Sequence, residues 1–296
     1  MAEFHKVHIQ EIKQETANAV SVVFNIPENL KTDFNFTAGQ YITLQKEINN
    51  EEIRRAYSIC STPKSGEIRV AIKAVENGTF STFATSQLKT GDAIEISEPE
   101  GRFLLNPEAN KNYIAFAAGS GITPILSMLK TVLETAPTTN FTLVYGNKTV
   151  ADTIFYDDLN SLKETYSNRF KLHYIFSREE VKNQLRGRID ENVTNYFVKN
   201  MYKDAAFDAA FLCGPEEMIK EVSSTLKSNS FNEENIHFEL FTASVDENAL
   251  SEIKEGTTEI KVLLDDEEST FIMQQTDDIL AASLRNNLDA PYSCQG

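Results

Sequence analysis

The feature that most constrains the fold of this sequence is a change of hydrophobic rhythm near residue 110. Up to about Leu105 the chain consists of short alternating apolar runs broken by Pro, Gly and Asn, a pattern typical of antiparallel strands. From Asn112 onward, strand-like apolar runs alternate with helical segments, which is the order of a parallel, doubly wound sheet. The sequence therefore predicts a closed six-stranded antiparallel β-barrel covered by one helix near Phe80–Leu88, followed by an α/β domain.

The same change of rhythm gives the domain boundaries that we predict. The barrel covers residues 1–108, the α/β domain 109–243, a polar linker 244–258 and a final unit 259–296. That final unit begins with two strand-like runs and continues into a helical run capped by Asp277. From Asp246 to Gly296, 12 acidic minus 3 basic side chains give −9 of the total charge of −16, so we expect the tail to be a separate unit.

Composition excludes several classes of function. A net charge of −16 repels phosphate backbones and anionic lipid, so we expect no nucleic-acid partner and no membrane partner. No basic, apolar, cleavable leader begins the sequence, and no apolar run approaches the ~20 residues that span a bilayer. Three cysteines at wide spacings do not resemble a disulfide framework. These observations predict a cytoplasmic protein.

A glycine-rich turn follows the first strand of the α/β domain and opens a helix. It runs from Gly119 through Ser120 and Gly121 to Thr123 and Pro124. Thr123 is a suitable helix N-cap and Pro124 a suitable first helical residue. The glycines allow a ligand to approach the backbone, and the free N–H groups of the helix start favour an anion such as a pyrophosphate. The alternative is an ordinary tight turn, because the spacing departs from the Rossmann GxGxxG pattern.

Two further segments carry residue types suited to ligand binding. Cys213-Gly214-Pro215 is a second strand exit of the same sheet, although a buried cysteine alone is usually a core residue. Residues 55–58 (Arg-Ala-Tyr-Ser) place an arginine and an aromatic ring on one side of a barrel strand, where they suit a phosphate and a flat heterocycle. The alternative is an exposed arginine and a core tyrosine. Residues 78–82 open the barrel's helix and offer a second helix N-terminus for phosphate.

These four motifs, in this order and at these separations, resemble the ferredoxin–NADP reductase superfamily. The order of barrel, nucleotide domain and C-terminal segment resembles the reductase components of multicomponent oxygenases, and residues 143–148, 176–179 and 185–190 look like the phenylacetyl-CoA oxygenase reductases. The resemblance implies a flavin-binding barrel, an NAD(P)-binding domain and a partial β-grasp ferredoxin segment. It also implies FAD, with NADPH or NADH as electron donor, and an oxygenase component or another electron acceptor as partner.

The resemblance assigns roles residue by residue. It implies that Tyr57 stacks on the flavin ring, that Ser58 lies beside the flavin's reactive nitrogen and that Arg55 holds its phosphate. Thr123 and Cys213 flank the nicotinamide. Further cofactor contacts are implied at Ala56, Lys73, Gly78, Thr79, Phe80, Ser81, Thr82, Gly119, Ser120, Gly121, Pro124, Asn147, Ser177, Gly214 and Pro215, and closure of the site at Glu239 and Phe241.

The choice between NADPH and NADH depends on two cations. Lys148 follows the second parallel strand and Arg178 the third, and no acidic residue ends the second strand to bind a ribose diol. The sequence therefore favours NADPH, the alternative being that both are solvated surface charges. The four histidines, His5, His8, His173 and His237, show no metal or triad spacing, which suits hydride transfer between bound cofactors.

The last residues resemble the start of a plant-type iron–sulfur site. Such a site uses CxxxxCxxC and a remote fourth cysteine, and Cys294 occupies the place of the first ligand. We expect a [2Fe–2S] cluster only in a complete chain that is longer by some tens of residues. Two other functions remain open: a stand-alone flavin or ferric reductase, and a flavin-bound sensor or electron-transfer subunit of a larger complex.

Overall fold

The computed structural model describes residues 3–241, 257–264, 267–274, 279 and 282. Most of the predicted linker, most of the predicted C-terminal helix and Cys294 lie outside these residues.

The N-terminal sheet is the predicted six-stranded antiparallel barrel. Its strands run in the order β4-β3-β6-β1-β2-β5, and apolar side chains at alternate positions fill the interior. The ring closes where the chain beyond β4 meets β5, since the Cys60 amide donates to the Arg69 carbonyl at 2.8 Å. The strands are β1 Phe4–Thr16, β2 Ala19–Asn25, β3 Tyr41–Ile48, β4 Glu51–Ser58, β5 Ile68–Lys73 and β6 Ala93–Ser97, and helix α1 is Thr79–Ser86.

The second sheet is parallel throughout and carries helices on both faces, as the strand–helix rhythm predicts. Its strand order is β10-β9-β8-β7-β11-β12. The rhythm does not reveal β10, which has two residues, or α4, whose five residues continue into a π-helical segment at Tyr196–Met201. The strands are β7 Asn112–Ala118, β8 Asn140–Asn147, β9 Phe170–Phe176, β10 Leu185–Arg186, β11 Ala209–Gly214 and β12 Ile236–Leu240; the helices are α2 Ile122–Thr135, α3 Tyr156–Thr165, α4 Glu191–Asn195 and α5 Glu216–Ser228.

The start of α2 differs from the expected capping. Gly119–Gly121 forms a 3₁₀ turn that continues directly into α2, so Gly121 occupies the cap position and makes no side-chain hydrogen bond. Thr123 is the second helical residue, and its hydroxyl donates to the Ser120 carbonyl at 3.1 Å. Pro124 is therefore third in the helix, and the Ser120 carbonyl, to which a proline cannot donate, accepts from the Thr123 hydroxyl instead. The assignment of Thr123 as N-cap is wrong because the glycine turn itself is already helical.

The barrel and the parallel sheet share one apolar core. Leu126, Met128 and Leu129 of α2 belong to the same buried cluster as Ala38 and Cys60 of the barrel. A Cβ added at Gly39, whose φ is +105°, would collide with the Phe103 carbonyl, so the backbone at this joint tolerates only glycine. The buried hydroxyl of Ser127 donates across the joint to the Ser61 carbonyl at 2.7 Å. The two sheets are thereby held in a defined relation.

The described C-terminal residues include one antiparallel pair, β13 Thr257–Leu264 and β14 Glu267–Gln274, which are the two strands predicted there. A partial β-grasp ferredoxin around them stays a prediction. Among the described residues, no helix combines the length and apolar composition needed to cross a bilayer.

Candidate flavin and nucleotide site

The barrel and the parallel sheet meet in a direct polar contact. The hydroxyl of Ser58, at the end of β4, donates to the Glu239 carboxylate on β12 at 3.1 Å. Cys213 on β11 lies beside Glu239 in the parallel register. Two segments that lie far apart in sequence, the barrel motif and the second strand exit, therefore reach the same crevice.

The two strand exits of the parallel sheet also touch each other. A Cβ at Gly121 would overlap the carbonyl of Cys213, so only glycine allows the turn after β7 to pass this close to the end of β11. Gly119 adopts φ +54°, the left-handed conformation that glycine adopts without steric cost. The turn that opens α2 and the Cys213-Gly214 exit form one continuous wall.

The side of the crevice built by the barrel has an aromatic surface. The half-buried ring of Tyr57 lies 5.8 Å from that of Phe80, with an interplanar angle of 35°. Arg55, two residues earlier on β4, donates to the Arg54 carbonyl at 2.7 Å and makes no ion pair with a described carboxylate. A flat ring that carries a phosphate chain fits beside such a pair, because aromatic faces attract flat rings and a guanidinium binds phosphate.

Phosphate-binding groups lie next to this surface. Lys73 ends β5 with its amine 3.9 Å from where a Gly119 Cβ would be, so it reaches the nucleotide side. Burial lowers the pKa of Lys73, and no described carboxylate lies within ion-pair distance of it. Gly78 caps α1 without a side-chain hydrogen bond, which leaves first-turn amides for a ligand. These features fit a bound pyrophosphate.

Burial sets the charge of the groups at the centre of the crevice. It raises the pKa of Glu239 to about 7, an effect that the Ser58 hydrogen bond reduces. Burial, with the Glu239 charge added, raises the pKa of the Cys213 thiol well above its ordinary value. Cys213 is therefore a neutral thiol at physiological pH, and Glu239 exchanges its proton near neutrality.

Sequence reasoning missed Tyr41. It pairs with Ser58 across β3 and β4, and burial together with the charges of Glu100 and Glu239 raises its pKa to about 12. No motif marks this tyrosine, since its place in the site comes from the strand register.

The predicted nucleotide residues at the ends of β8 and β9 lie side by side. The Arg178 amide donates to the Lys148 carbonyl at 2.9 Å, and the Ser177 amide to the Asn147 carbonyl at 3.0 Å. Both cationic side chains are exposed, and neither forms an ion pair among the described residues. The side-chain amide of Asn147 is buried beside the Tyr145 hydroxyl at the end of β8.

The other predicted site residues hold supporting positions. Thr123 and Pro124 are buried in α2, while Phe241 packs against the core that contains α2. Pro215 caps α5. The hydroxyl of Ser81 in α1 accepts a hydrogen bond from the Val75 amide at 3.1 Å.

Comparisons with known proteins identify the two domains. Residues 6–104 match the oxidoreductase FAD-binding domain and residues 116–224 the oxidoreductase NAD-binding domain. The class is thus a flavin- and nicotinamide-nucleotide-dependent oxidoreductase. The chain is 36% identical over 301 residues to a subunit of the 1,2-phenylacetyl-CoA epoxidase of Escherichia coli, covering 100% of this chain and 85% of that protein.

Two more distant relatives are reductases. Identity to the ferredoxin reductase component of 3-ketosteroid-9-alpha-monooxygenase from Rhodococcus rhodochrous is 27%, over 97% of this chain and 81% of that protein. The ferredoxin NADP+ reductase of Neisseria gonorrhoeae, solved with bound FAD and NADP, superimposes with a TM-score of 0.68 at 23% identity, over 81% of this chain and 99% of that one. The chain belongs to the ferredoxin–NADP reductase superfamily.

A substitution at Tyr57 tests the flavin surface. We expect Tyr57→Ala to weaken flavin retention roughly 2- to 10-fold, because ring stacking contributes about 0.5–1.5 kcal/mol beyond the burial of the ring. Tyr57→Phe, which keeps the ring, should retain flavin nearly as well as the parent protein. Flavin content after gel filtration measures both, and equal retention by the alanine variant would contradict the stacking role.

The raised pKa of Glu239 predicts a pH effect on stability. Between pH 4.5 and about 7 the Glu239 carboxyl is ionised in the unfolded chain and protonated in the folded protein. Its contribution to stability is therefore complete below pH 4.5 and declines as the pH rises towards 7. Between pH 5 and pH 8, the free energy of unfolding of Glu239→Gln should therefore rise by roughly 1–3 kcal/mol relative to that of the parent protein. Denaturant unfolding at both pH values measures this. Glu217→Gln, at an exposed position of α5, is the control, and its stability should depend on pH as that of the parent protein does.

Proposed function

We propose that this protein transfers a hydride from NAD(P)H to FAD held by the barrel, and passes the electrons to an oxygenase component that acts on phenylacetyl-CoA or a related substrate. The observation that carries the proposal is the Ser58–Glu239 hydrogen bond, which joins the barrel motif to the strand exits of the nucleotide domain. The names of the relatives from Escherichia coli and Rhodococcus rhodochrous support an oxygenase as the acceptor.

The residues of the crevice supply binding and orientation. When bound, the nicotinamide donates a hydride and the flavin accepts it, so the cofactors supply the redox chemistry. We assign Tyr57 to the flavin ring and Arg55 with Lys73 to its phosphates. Thr123 and Cys213 would border the nicotinamide, which keeps the two rings in a productive geometry.

The uncharged state of Cys213 and Glu239 suits a site in which a hydride passes between two bound rings. A neutral Cys213 thiol and a protonated Glu239 place no negative charge beside the rings below about pH 7. Attraction for the cofactor phosphates then comes from the cations at the rim. Phe241, just after β12, would close the site beside Glu239.

We further propose that the complete protein carries a [2Fe–2S] cluster and that Cys294 is one of its ligands. The reason is chemical: hydride transfer delivers two electrons together, whereas a one-electron carrier releases them singly. The β13–β14 pair precedes Cys294 as the strands of a ferredoxin segment would.

Anaerobic mixing tests the proposal. We expect NADPH to bleach the visible absorption of the bound flavin within the time of a catalytic turnover, with iron in the complete chain at one [2Fe–2S] cluster per molecule. A flavin that stays oxidised would instead support a sensor or an inert subunit. Bleaching without iron in the complete chain would support a stand-alone flavin or ferric reductase.

The choice between NADPH and NADH is tested by substituting Arg178. We expect Arg178→Ala to lower kcat/KM for NADPH roughly 10- to 100-fold, since a charge-assisted hydrogen bond to phosphate contributes about 1.5–3 kcal/mol. The value for NADH should change little. Lys31→Ala, which removes an exposed barrel cation paired with Glu28, is the control. An unchanged NADPH-to-NADH ratio in the Arg178 variant would remove the argument for a 2′-phosphate.

A further inference from the structure

We propose that Glu3, His5 and Glu98 form a binding site for a divalent cation, with Zn²⁺ as the ion that suits it. One ligand atom from each residue lies within 4.8 Å of the other two. None of the three belongs to the flavin and nucleotide site, so the proposal is independent of the proposed function.

The strand pairing brings the three side chains together. β1 and β6 are antiparallel neighbours, with Phe4 opposite Ser97. Glu3 and His5 are two residues apart in extended chain, so they project from the same side. Glu98 directly follows Ser97 and therefore lies across from Glu3. This spacing is invisible in the sequence, where 93 residues separate His5 from Glu98.

The imidazole of His5 is held in place between Phe34 and the Glu98 carboxylate. Its side chain is only 13% exposed, and the edge of its ring packs against Phe34 at a centroid distance of 5.7 Å. The Nε2 atom is buried and faces Glu98 Oε1 at 3.5 Å, without a hydrogen bond among the described residues. A cation bound between this nitrogen and the carboxylates would give it a ligand bond in place of the missing hydrogen bond.

The charges of the cluster favour a cation. Like charges that face each other across two strands destabilise the pair, and here two carboxylates converge in a protein of net charge −16. Zn²⁺ binds imidazole nitrogen and carboxylate oxygen at about 2.0–2.2 Å in a tetrahedron, whose ligand atoms are roughly 3.3–3.6 Å apart. Small side-chain rotations bring the three atoms to that separation, and a water completes the shell.

Zinc titration of tag-free, flavin-loaded protein tests the site. After treatment with a chelator, we expect one Zn²⁺ per chain to bind in calorimetry at about pH 7.5. His5→Gln and Glu98→Gln should each weaken this binding at least tenfold. The matched control is His8→Gln: His8 lies on the same strand, with Nδ1 3.2 Å from the Gly91 carbonyl, and its loss should leave zinc binding unchanged.

A second measurement distinguishes the loss of a zinc ligand from a folding defect in a variant. Zn²⁺ should raise the Tm of the parent protein and of His8→Gln, but not that of Glu3→Gln, whose exposed side chain can be replaced without disturbing the barrel core. The proposal is overturned if no Zn²⁺ binds at concentrations up to about 0.1 mM. It is also overturned if the His5 and Glu98 variants bind as the parent does, which would place the zinc at another site.

Discussion

The arrangement of this protein depends on the packing of α2 against the barrel. Leu126, Met128 and Leu129 complete a core that begins in the barrel, and the Ser127 hydroxyl satisfies a barrel carbonyl within it. Moving α2 relative to the barrel would cost free energy, because buried apolar surface would be exposed and a buried hydrogen bond would break. With α2 fixed, the glycine turn at its start stands at a set distance from the barrel.

The cations at the strand ends beside the candidate site form no ion pairs among the described residues. Arg69 pairs with Glu67 and Glu11 on the barrel surface, as expected for a protein with an excess of carboxylates. Lys73, Lys148 and Arg178, in contrast, form no ion pair with any described residue. We propose, from their positions at the strand ends, that these three cations attract the anionic cofactors.

Burial around Cys213 and Glu239 controls the charge at the centre of the crevice. Both groups are kept uncharged by desolvation over part of the physiological range, and neither belongs to a metal or triad arrangement among the described residues. A site that aligns two cofactors needs shape and fixed dipoles more than proton transfer. The contact between Ser58 and Glu239 serves that purpose, since it locks the end of β4 against β12.

The sequence by itself determined the two sheets, their order and the motifs at the strand exits, because periodicity and turn chemistry are properties of neighbouring residues. The resemblance of those motifs also identified the superfamily. Only the tertiary structure decided that Tyr41 faces Ser58, that the turn before Thr123 is already helical, and that His5 meets Glu98. Strand register and close backbone approach join residues far apart along the chain, and no local pattern records them.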